Sequence, residues 1–118
     1  MKPILSIAGS DCSGGAGIQA DLKTFSAHGL FGMSVITSVV AENTARVISY
    51  QDVTPEVIKQ QIDAVFEDIP PLSVKIGMLS CRETMDALAC KLDQYAPKNV
   101  VIDPVMYAKN GCALMDPH

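Results

Sequence analysis

The stretch of sequence that decides the fold is Ile7-Ala-Gly-Ser-Asp-Cys-Ser-Gly-Gly-Ala-Gly-Ile-Gln-Ala-Asp21. Its first residues end an apolar run and its last residues begin a helical pattern, so the four glycines between them lie in a loop that joins a strand to a helix. Glycine lets backbone N–H groups come close to a ligand. A helix N-terminus adds unpaired N–H donors and about half a positive charge. The sequence therefore predicts that this glycine loop holds a small polar molecule.

Apolar runs alternate along the chain with amphipathic patterns of helical period. The sequence predicts helices over residues 15–28, 55–69 and 81–95, with Gly29 as the stop of the first and Thr54 as the N-cap of the second. It predicts strands over residues 2–8, 32–40, 73–77 and 99–103, and either a short strand or an excursion from the sheet over residues 46–53. This alternation is typical of parallel βαβ units. The predicted fold is therefore α/β, a mainly parallel sheet flanked by helices.

Polar residues follow the predicted strands at the point where each strand ends. These segments are Gly9-Ser10-Asp11, Glu42-Asn43-Thr44, Gly77-Met78 and Asp103-Pro104. Open parallel sheets bind ligands at the carboxyl ends of their strands. We therefore expect the four segments to meet at one rim of the sheet and to form the functional site there.

Length and composition fit one small domain or a piece of a larger one. The chain has 118 residues, of which 48% are hydrophobic and 19% are charged, which favours a folded core over disorder. The net charge is −4 and lysine and arginine form no cluster, which argues against a nucleic-acid partner. No apolar run approaches the roughly 20 residues of a membrane span, and the N-terminus shows no signal-peptide pattern. We expect a cytoplasmic protein with no membrane partner.

The four cysteines do not predict a metal site. Cys12, Cys81, Cys90 and Cys112 show no C-x-x-C spacing and no paired histidine, so a zinc site is not expected and reduced thiols are. Cys12 differs from the others because it lies in the glycine loop, near the start of a helix.

A dinucleotide site is a weaker alternative for the same loop. Gly15-Ala-Gly-Ile-Gln-Ala20 fits a relaxed G-x-G-x-x-A fingerprint, and Glu42 could serve as the ribose-binding acid. However, six residues separate Ala8 from Gly15, which is long for the tight turn that the fingerprint needs. Asp11 also places a negative charge near the expected position of a pyrophosphate. The pattern alone is therefore weak support for NAD or FAD.

Three carboxylates are candidate ligand-binding residues. Asp21, expected in the first turn of the helix after the loop, either complements the helix dipole or accepts a hydrogen bond from a ligand hydroxyl or amine. Glu42, at a strand end, either binds two N–H groups of an aminopyrimidine-like ring or is a solvated turn residue. Asp103 precedes a proline, which favours an extended backbone, and it either binds Mg²⁺ at the rim or forms a turn.

Three further side chains have competing interpretations. Met78 and Met106 could line a flat ring or pack in the core. Lys75 lies within a predicted strand, where a snorkelling or an ion-paired side chain is favoured over a catalytic one.

Several motifs in order along the chain resemble one known family. They are Ile7 to Asp11 with Ser13 to Phe25, Gly32-Met-Ser-Val-Ile-Thr37, Ala41-Glu-Asn-Thr44, Lys75-Ile-Gly-Met-Leu79 and Val101-Ile-Asp-Pro-Val-Met106. The chain closely resembles the hydroxymethylpyrimidine/phosphomethylpyrimidine kinases of thiamine biosynthesis over essentially its whole length. The resemblance implies a ribokinase-like fold and transfer of the ATP γ-phosphoryl group, with Mg²⁺, to 4-amino-5-hydroxymethyl-2-methylpyrimidine and then to its monophosphate.

The resemblance also implies roles for individual residues. Asp21 would hold the hydroxymethyl or ring polar groups, Glu42 would bind the amino edge of the ring, and Asp103 would lie near the Mg²⁺ and phosphates. The complete set of implied pyrimidine-pocket residues is Gly9, Ala16, Asp21, Val40, Glu42, Met78 and Val105. In this family the glycine loop faces the substrate and not ATP.

The resemblance implies that residues 1–118 are the N-terminal part of a single ribokinase-like kinase domain. The family's Asn-x-x-Glu motif for Mg-ATP and its Gly-Thr-Gly-Cys anion hole do not occur in the 118 residues. We therefore expect no catalytic residue among them, and we expect them alone to bind pyrimidine weakly and not to turn over. A homodimer is expected from the resemblance. Two alternatives stay open, a non-catalytic pyrimidine-binding or dimerisation fragment, and a vitamin B6 kinase acting on pyridoxal or pyridoxine.

Overall fold

A four-stranded parallel sheet organises the computed structural model, which describes residues 1–77, 79 and 81–103. The elements in chain order are β1 (Pro3–Ala8), α1 (Gly17–Ala27), β2 (Phe31–Ile36), β3 (Ser38–Glu42), β4 (Val47–Asp52), α2 (Pro55–Asp68), β5 (Ser73–Ile76), α3 (Arg82–Tyr95) and β6 (Asn99–Ile102). The main sheet has the order β2-β1-β5-β6, and every pairing in it is parallel. The predicted α/β class with a mainly parallel sheet is confirmed.

The central strand β1 is buried on both faces of this sheet. Leu5 and Ile7 are fully buried on one face, where they join a core cluster with residues of α2 and α3, including Ile58, Ile62 and Leu88. Successive side chains of a strand point to opposite faces, so Ser6, which is also fully buried, lies on the other face, towards α1. The site residues described below lie on that second face and at its carboxyl end.

The run over residues 32–40 forms two strands and not the single strand that the sequence predicts. β2 ends at Ile36, whose outward N–H and C=O groups are both bound by the side chain of Gln61, at 2.9 Å each. The N–H group of the buried Thr37 still donates to Ala8 at 2.9 Å, but its carbonyl accepts from Val53. Because the chain changes partners at Thr37, its β-branched residues continue as β3 in a second sheet.

The second sheet pairs β3 with β4 in antiparallel register. The sequence predicts either a short strand or an excursion from the sheet over residues 46–53. The structure shows a strand in this range, β4, which lies outside the main sheet. Several apolar side chains of this small sheet are exposed, including Val39, Ile48 and Tyr50.

The predicted helix ends are largely confirmed. The Thr54 hydroxyl accepts from the N–H group of Val57 at 3.3 Å, and Pro55 is the first residue of α2. Gly29, which follows the end of α1, has a φ of +71°. On α3 the buried residues are Thr84, Ala87 and Leu88, whereas Ala89 is exposed. None of the helices among the described residues has both the length and the apolar composition that crossing a bilayer requires.

A polar cluster joins α2 to α3 beside the core. The Tyr95 hydroxyl donates to Asp63 at 2.6 Å, and the Lys91 ammonium lies 2.8 Å from the same carboxylate oxygen. The rings of Tyr95 and Phe66 stack with centroids 4.4 Å apart. Hydrogen bonds from Lys91 and Tyr95 hold the pKa of Asp63 below its usual value, and the bond to Asp63 raises the pKa of Tyr95 to about 12. The charged form of Asp63 therefore stabilises the packing of α2 against α3.

We expect Asp63→Asn to lower stability at neutral pH and to have progressively less effect in acid. Since folding lowers the pKa of Asp63 from 3.8, its contribution is complete above that value and is lost as the pH falls through the lower pKa of the folded state. Urea denaturation of both proteins between pH 7 and pH 3 measures the difference. Asp86→Asn, at an exposed position of α3, is the matched control. A stability difference that does not change with pH would contradict this account.

Candidate functional site

The glycine loop lies between β1 and α1, at the carboxyl end of the central strand. Its last glycine, Gly17, begins α1 with a φ of +57°, and the next N–H group, of Ile18, donates to the Gly9 carbonyl at 2.9 Å. A Cβ atom at Gly17 would collide with that carbonyl oxygen. A glycine is therefore required at this position both by the backbone conformation and by the close approach of the loop to its own beginning.

Asp11 holds the loop in shape from inside. Its side chain is buried, with 2% exposed, and it accepts from the Ser13 N–H group at 2.9 Å, the Ser13 hydroxyl at 2.6 Å and the Gly15 N–H group at 3.1 Å. Its own N–H group donates to the side chain of Gln19 at 2.8 Å. Asp11 thus ties together the two ends of the loop.

The charge of Asp11 is stabilised by these contacts. Burial raises its pKa, but hydrogen bonds from Ser13 and Gly15 outweigh burial, so the pKa of Asp11 lies below its usual value. Sequence reasoning placed Asp11 at the expected rim and treated it as a charge that disfavours a pyrophosphate, but missed its role in shaping the loop. The signal was present, because an aspartate whose side chain accepts N–H groups two and four residues later is a common turn-forming arrangement.

Asp21 is held by an ion pair on the α1 face of the sheet. The Lys75 ammonium lies 2.9 Å from Oδ1 and 2.8 Å from Oδ2, and the Ser6 hydroxyl donates to Oδ2 at 2.6 Å. Of the two non-catalytic roles expected for Lys75, snorkelling and ion pairing, the structure shows the ion pair. The placement of Asp21 in the first turn is wrong, because α1 begins at Gly17 and its first turn contains no acidic residue. Asp21 is therefore not a helix-dipole charge.

The ion pair leaves Asp21 able to bind a ligand. A carboxylate offers about four acceptor positions, and the bonds from Lys75 and Ser6 occupy three of them among the described residues. The remaining position is on Oδ1. The side chains of Asp21 and Lys75 are only 16% and 24% exposed, so a ligand hydroxyl that reached Oδ1 would form its bond largely shielded from water.

Glu42 reaches the glycine loop from the small sheet. It ends β3 and not a strand of the main sheet, which corrects the expectation that a main-sheet strand carries it to the rim. The Cys12 thiol donates to the Glu42 carbonyl at 2.8 Å and accepts from the Glu42 N–H group at 3.4 Å. The loop therefore holds the backbone of Glu42.

The other predicted pocket residues lie at these same elements where the structure describes them. Gly9 is buried at the end of β1, Ala16 is the exposed, extended residue that precedes α1, and Val40 is a buried residue of β3. The Val40 N–H group donates to the Ser10 hydroxyl at 3.3 Å. Met78 and Val105, like Met106 and Cys112, lie outside the described residues.

Asp103 is placed at the same rim, on the other side of β5. Its N–H group donates to the Ile76 carbonyl at 2.8 Å, and its side chain is exposed. Adjacent strands are about 4.8 Å apart, so two strand spacings put Asp103 roughly 10 Å from the end of β1. Among residues 1–77, 79 and 81–103, no three histidine, cysteine or acidic side chains are grouped to hold a metal ion. Of the described cysteines, Cys12, Cys81 and Cys90 are free thiols, as the sequence predicts.

Known proteins similar to this chain include phosphomethylpyrimidine kinases and pyridoxal kinases. The model of the phosphomethylpyrimidine kinase family matches residues 11–118. A hydroxymethylpyrimidine/phosphomethylpyrimidine kinase of Rhizobium meliloti is 56% identical over 113 residues, which cover 96% of this chain and 42% of that protein. The Escherichia coli protein of the same name is 51% identical over 119 residues, covering 99% and 45%. The chain thus spans less than half the length of these relatives.

Solved structures of similar kinases superpose on this chain. A phosphomethylpyrimidine kinase of Clostridium difficile superposes with a TM-score of 0.92 at 56% identity, over 99% of this chain and 51% of that chain. An ADP complex of Bacillus subtilis pyridoxal kinase superposes with a TM-score of 0.82 at 40% identity, over 92% and 42%.

Replacing Gly17 by alanine is expected to destabilise the protein more than the same change at Gly29. Both glycines have positive φ, so both variants bear the cost of that conformation, about 1–2 kcal/mol. Only Gly17→Ala adds a collision with the Gly9 carbonyl, because a Cβ atom at Gly29 meets nothing within 4 Å. Urea denaturation of the two variants measures the difference. Equal losses would show that the loop can move away from Gly17 without cost.

Removing Lys75 alone is expected to cost more than removing both charges of the ion pair. Lys75→Met leaves the shielded Asp21 carboxylate without its cation, at a cost of about 1–3 kcal/mol. Lys75→Met combined with Asp21→Asn has no such charge and should be more stable than Lys75→Met alone. A double-mutant cycle by urea denaturation measures the coupling. Additive effects of the two substitutions would contradict a coupled pair.

Proposed function

This chain belongs to the phosphomethylpyrimidine kinase family, and we propose that the protein containing it phosphorylates 4-amino-5-hydroxymethyl-2-methylpyrimidine, and then its monophosphate, with ATP in thiamine biosynthesis. Its fold is the ribokinase-like α/β fold that the sequence resemblance implied. The activity is supported by relatives named hydroxymethylpyrimidine/phosphomethylpyrimidine kinase at 51–56% identity.

The observation that carries the proposal is the attachment of Glu42 to the glycine loop. Cys12 of the loop binds the backbone of the acidic residue Glu42 in β3, and the helix after the loop carries a second carboxylate, Asp21, with one acceptor position left. A flat ring with an amino group at one edge and a hydroxymethyl group at another needs hydrogen-bonding partners of this type at separate positions. The loop and its two carboxylates supply them.

The residues of this site would bind and orient the alcohol. Glu42 would bind the amino edge of the ring, and Oδ1 of Asp21 would accept a hydrogen bond from the hydroxymethyl or a ring polar group. The backbone of Gly9 and Ala16 and the side chain of Val40 would contact the ring, with Met78 and Val105 supplying apolar contacts as the resemblance implies. Phosphoryl transfer depends mainly on positioning and on stabilisation of spread negative charge. Holding the alcohol in one orientation is therefore this site's contribution to the in-line attack on ATP.

Asp103 is proposed as the residue nearest the Mg²⁺ and the phosphates. Mg²⁺ commonly uses one or two carboxylates together with water and substrate phosphates, so the exposed carboxylate of Asp103 suits a partial ligand set at the rim. The metal would neutralise phosphate charge when bound.

We propose that residues 1–118 are the pyrimidine-binding part of one kinase domain, and that the remainder of such a domain supplies the ATP site and the anion hole. This division is supported by the length of the match, because the chain covers only 42% and 45% of the two relatives described above. On this basis the 118 residues alone bind pyrimidine weakly and do not turn over. A cytoplasmic homodimer is also proposed, and the exposed apolar residues Val39, Ile48 and Tyr50 of the small sheet are consistent with a protein contact.

A second candidate activity is phosphorylation of a B6 vitamer. It is favoured by the superposition on Bacillus subtilis pyridoxal kinase at 40% identity. Pyridoxal lacks an amino group on its ring, so a site built around Glu42 should prefer the aminopyrimidine.

We expect Glu42→Gln in the full-length protein to raise the KM for the aminopyrimidine alcohol about 10- to 100-fold, because a charge-assisted hydrogen bond to the amino edge is weakened. Transfer of label from ATP to the pyrimidine, with Mg²⁺, measures the rate, and pyridoxal as competitor measures the preference between vitamers. Glu56→Gln, at an exposed position of α2, is the control. An unchanged KM would remove Glu42 from the site. Label transfer to pyridoxal in preference to the pyrimidine would favour the second candidate, and binding without transfer would favour a non-catalytic role.

A further inference from the structure

Residues 10–12 of the glycine loop run alongside β3 and bind every second residue of it. The Ser10 N–H group donates to the Ser38 carbonyl at 2.8 Å, and the Ser10 hydroxyl accepts from the Val40 N–H group at 3.3 Å. The Cys12 thiol then donates to the Glu42 carbonyl and accepts from the Glu42 N–H group. The contacts therefore follow the two-residue repeat of a strand from its first residue to its last.

This row of contacts takes the place of a neighbouring strand. Alternate residues of a strand direct their backbone groups to the same edge, and the other edge of β3 is paired with β4. On the loop side, the Ser10 hydroxyl and the Cys12 thiol form the hydrogen bonds that the backbone of a neighbouring strand would otherwise form. The Cys12 thiol is the one that reaches Glu42.

Glu42 needs such a contact because the pairing on its other side is irregular. The register of β3 and β4 shifts between Ala41 and Glu42, where a bulge turns the backbone. Beyond the bulge, Asn43 closes the connection to β4 by accepting from the N–H groups of Ala45 and Arg46 at 2.8 and 3.0 Å. The backbone of Glu42 thus lies between a bulge and a turn, and the thiol ties it to the loop.

We propose that Cys12 is a positioning residue for Glu42, whose thiol sets the position of the Glu42 carboxyl group relative to the glycine loop. The inference rests on the proposed function, in which that carboxyl group binds the amino edge of the substrate. Cys12 acts through the backbone of Glu42 and does not bind the substrate itself. Its loss therefore weakens binding of an amino-bearing ring and leaves the rate at saturating substrate nearly unchanged.

The test is a double-mutant cycle in the full-length protein. Cys12→Ala, Cys12→Val and Cys12→Ser are each made with Glu42 intact and with Glu42→Ala. Calorimetry then measures binding of the aminopyrimidine alcohol and of the analogue that lacks the amino group, and steady-state kinetics separates KM from kcat. Cys90→Ala, at an exposed cysteine of α3, is the control for removal of a thiol. Thermal denaturation shows which variants are folded, and the valine variant provides a second thiol-free protein.

With Glu42 intact, Cys12→Ala and Cys12→Val should weaken aminopyrimidine binding about three- to tenfold, the range of one ordinary hydrogen bond. Cys12→Ser should restore affinity to within about twofold, because a hydroxyl also donates and accepts. With Glu42→Ala, the same changes at Cys12 should have no further effect, and binding of the analogue without the amino group should not depend on Cys12 at all.

Two results overturn the inference in distinguishable ways. If Glu42→Ala weakens aminopyrimidine binding but Cys12→Ala does not, or if the two effects add, the proposed function stands and Cys12 does not act through Glu42. If Glu42→Ala leaves binding unchanged, the proposed role of Glu42 is wrong and the positioning role of Cys12 is lost with it.

Discussion

The site depends on the hydrogen bonds that the glycine loop donates to the buried carboxylate of Asp11. A loop containing four glycines has many accessible conformations, and ordering it costs conformational entropy. Hydrogen bonds from Ser13 and Gly15 to a single buried acceptor offset that cost and select one shape. The same loop binds the backbone of Glu42 through Cys12, so the shape that Asp11 selects also helps to place the second half of the site.

The exchange of partners at Thr37 brings β3 alongside the glycine loop. If the chain had continued along the main sheet beyond Ile36, the residues after it would have extended the edge strand away from the loop. Instead, the side chain of Gln61 caps β2, and β3 crosses to the glycine loop, where Ser10 and Cys12 bind its free edge. The small sheet is thereby held at the rim by polar contacts from the loop and by few apolar ones, since Val40 is its buried apolar residue.

The ion pair of Asp21 with Lys75 links the helix after the loop to the sheet beneath it. An isolated carboxylate on a buried sheet face would be costly, but Lys75 and Ser6 compensate for the charge and fix its orientation. The pair joins α1 to β5 and β1. The direction in which Asp21 presents its remaining acceptor is therefore set by the main sheet and not by the loop.

The sequence by itself determined the order of helices and strands, the glycine loop and the cap at Thr54, because periodicity and turn residues are local signals. Family motifs also identified Asp21 and Glu42 as candidates. Only the tertiary structure decided that residues 32–40 divide at Thr37, that Lys75 pairs with Asp21 beyond the first turn of α1, and that Cys12 holds the backbone of Glu42. These features depend on which distant backbone groups compete for the same hydrogen bonds, as when Gln61 binds Ile36 from 25 residues away. The sequence pattern does not show which of these groups pair, because residues far apart in the chain come within hydrogen-bonding distance only when the sheet, the loop and the helices pack together.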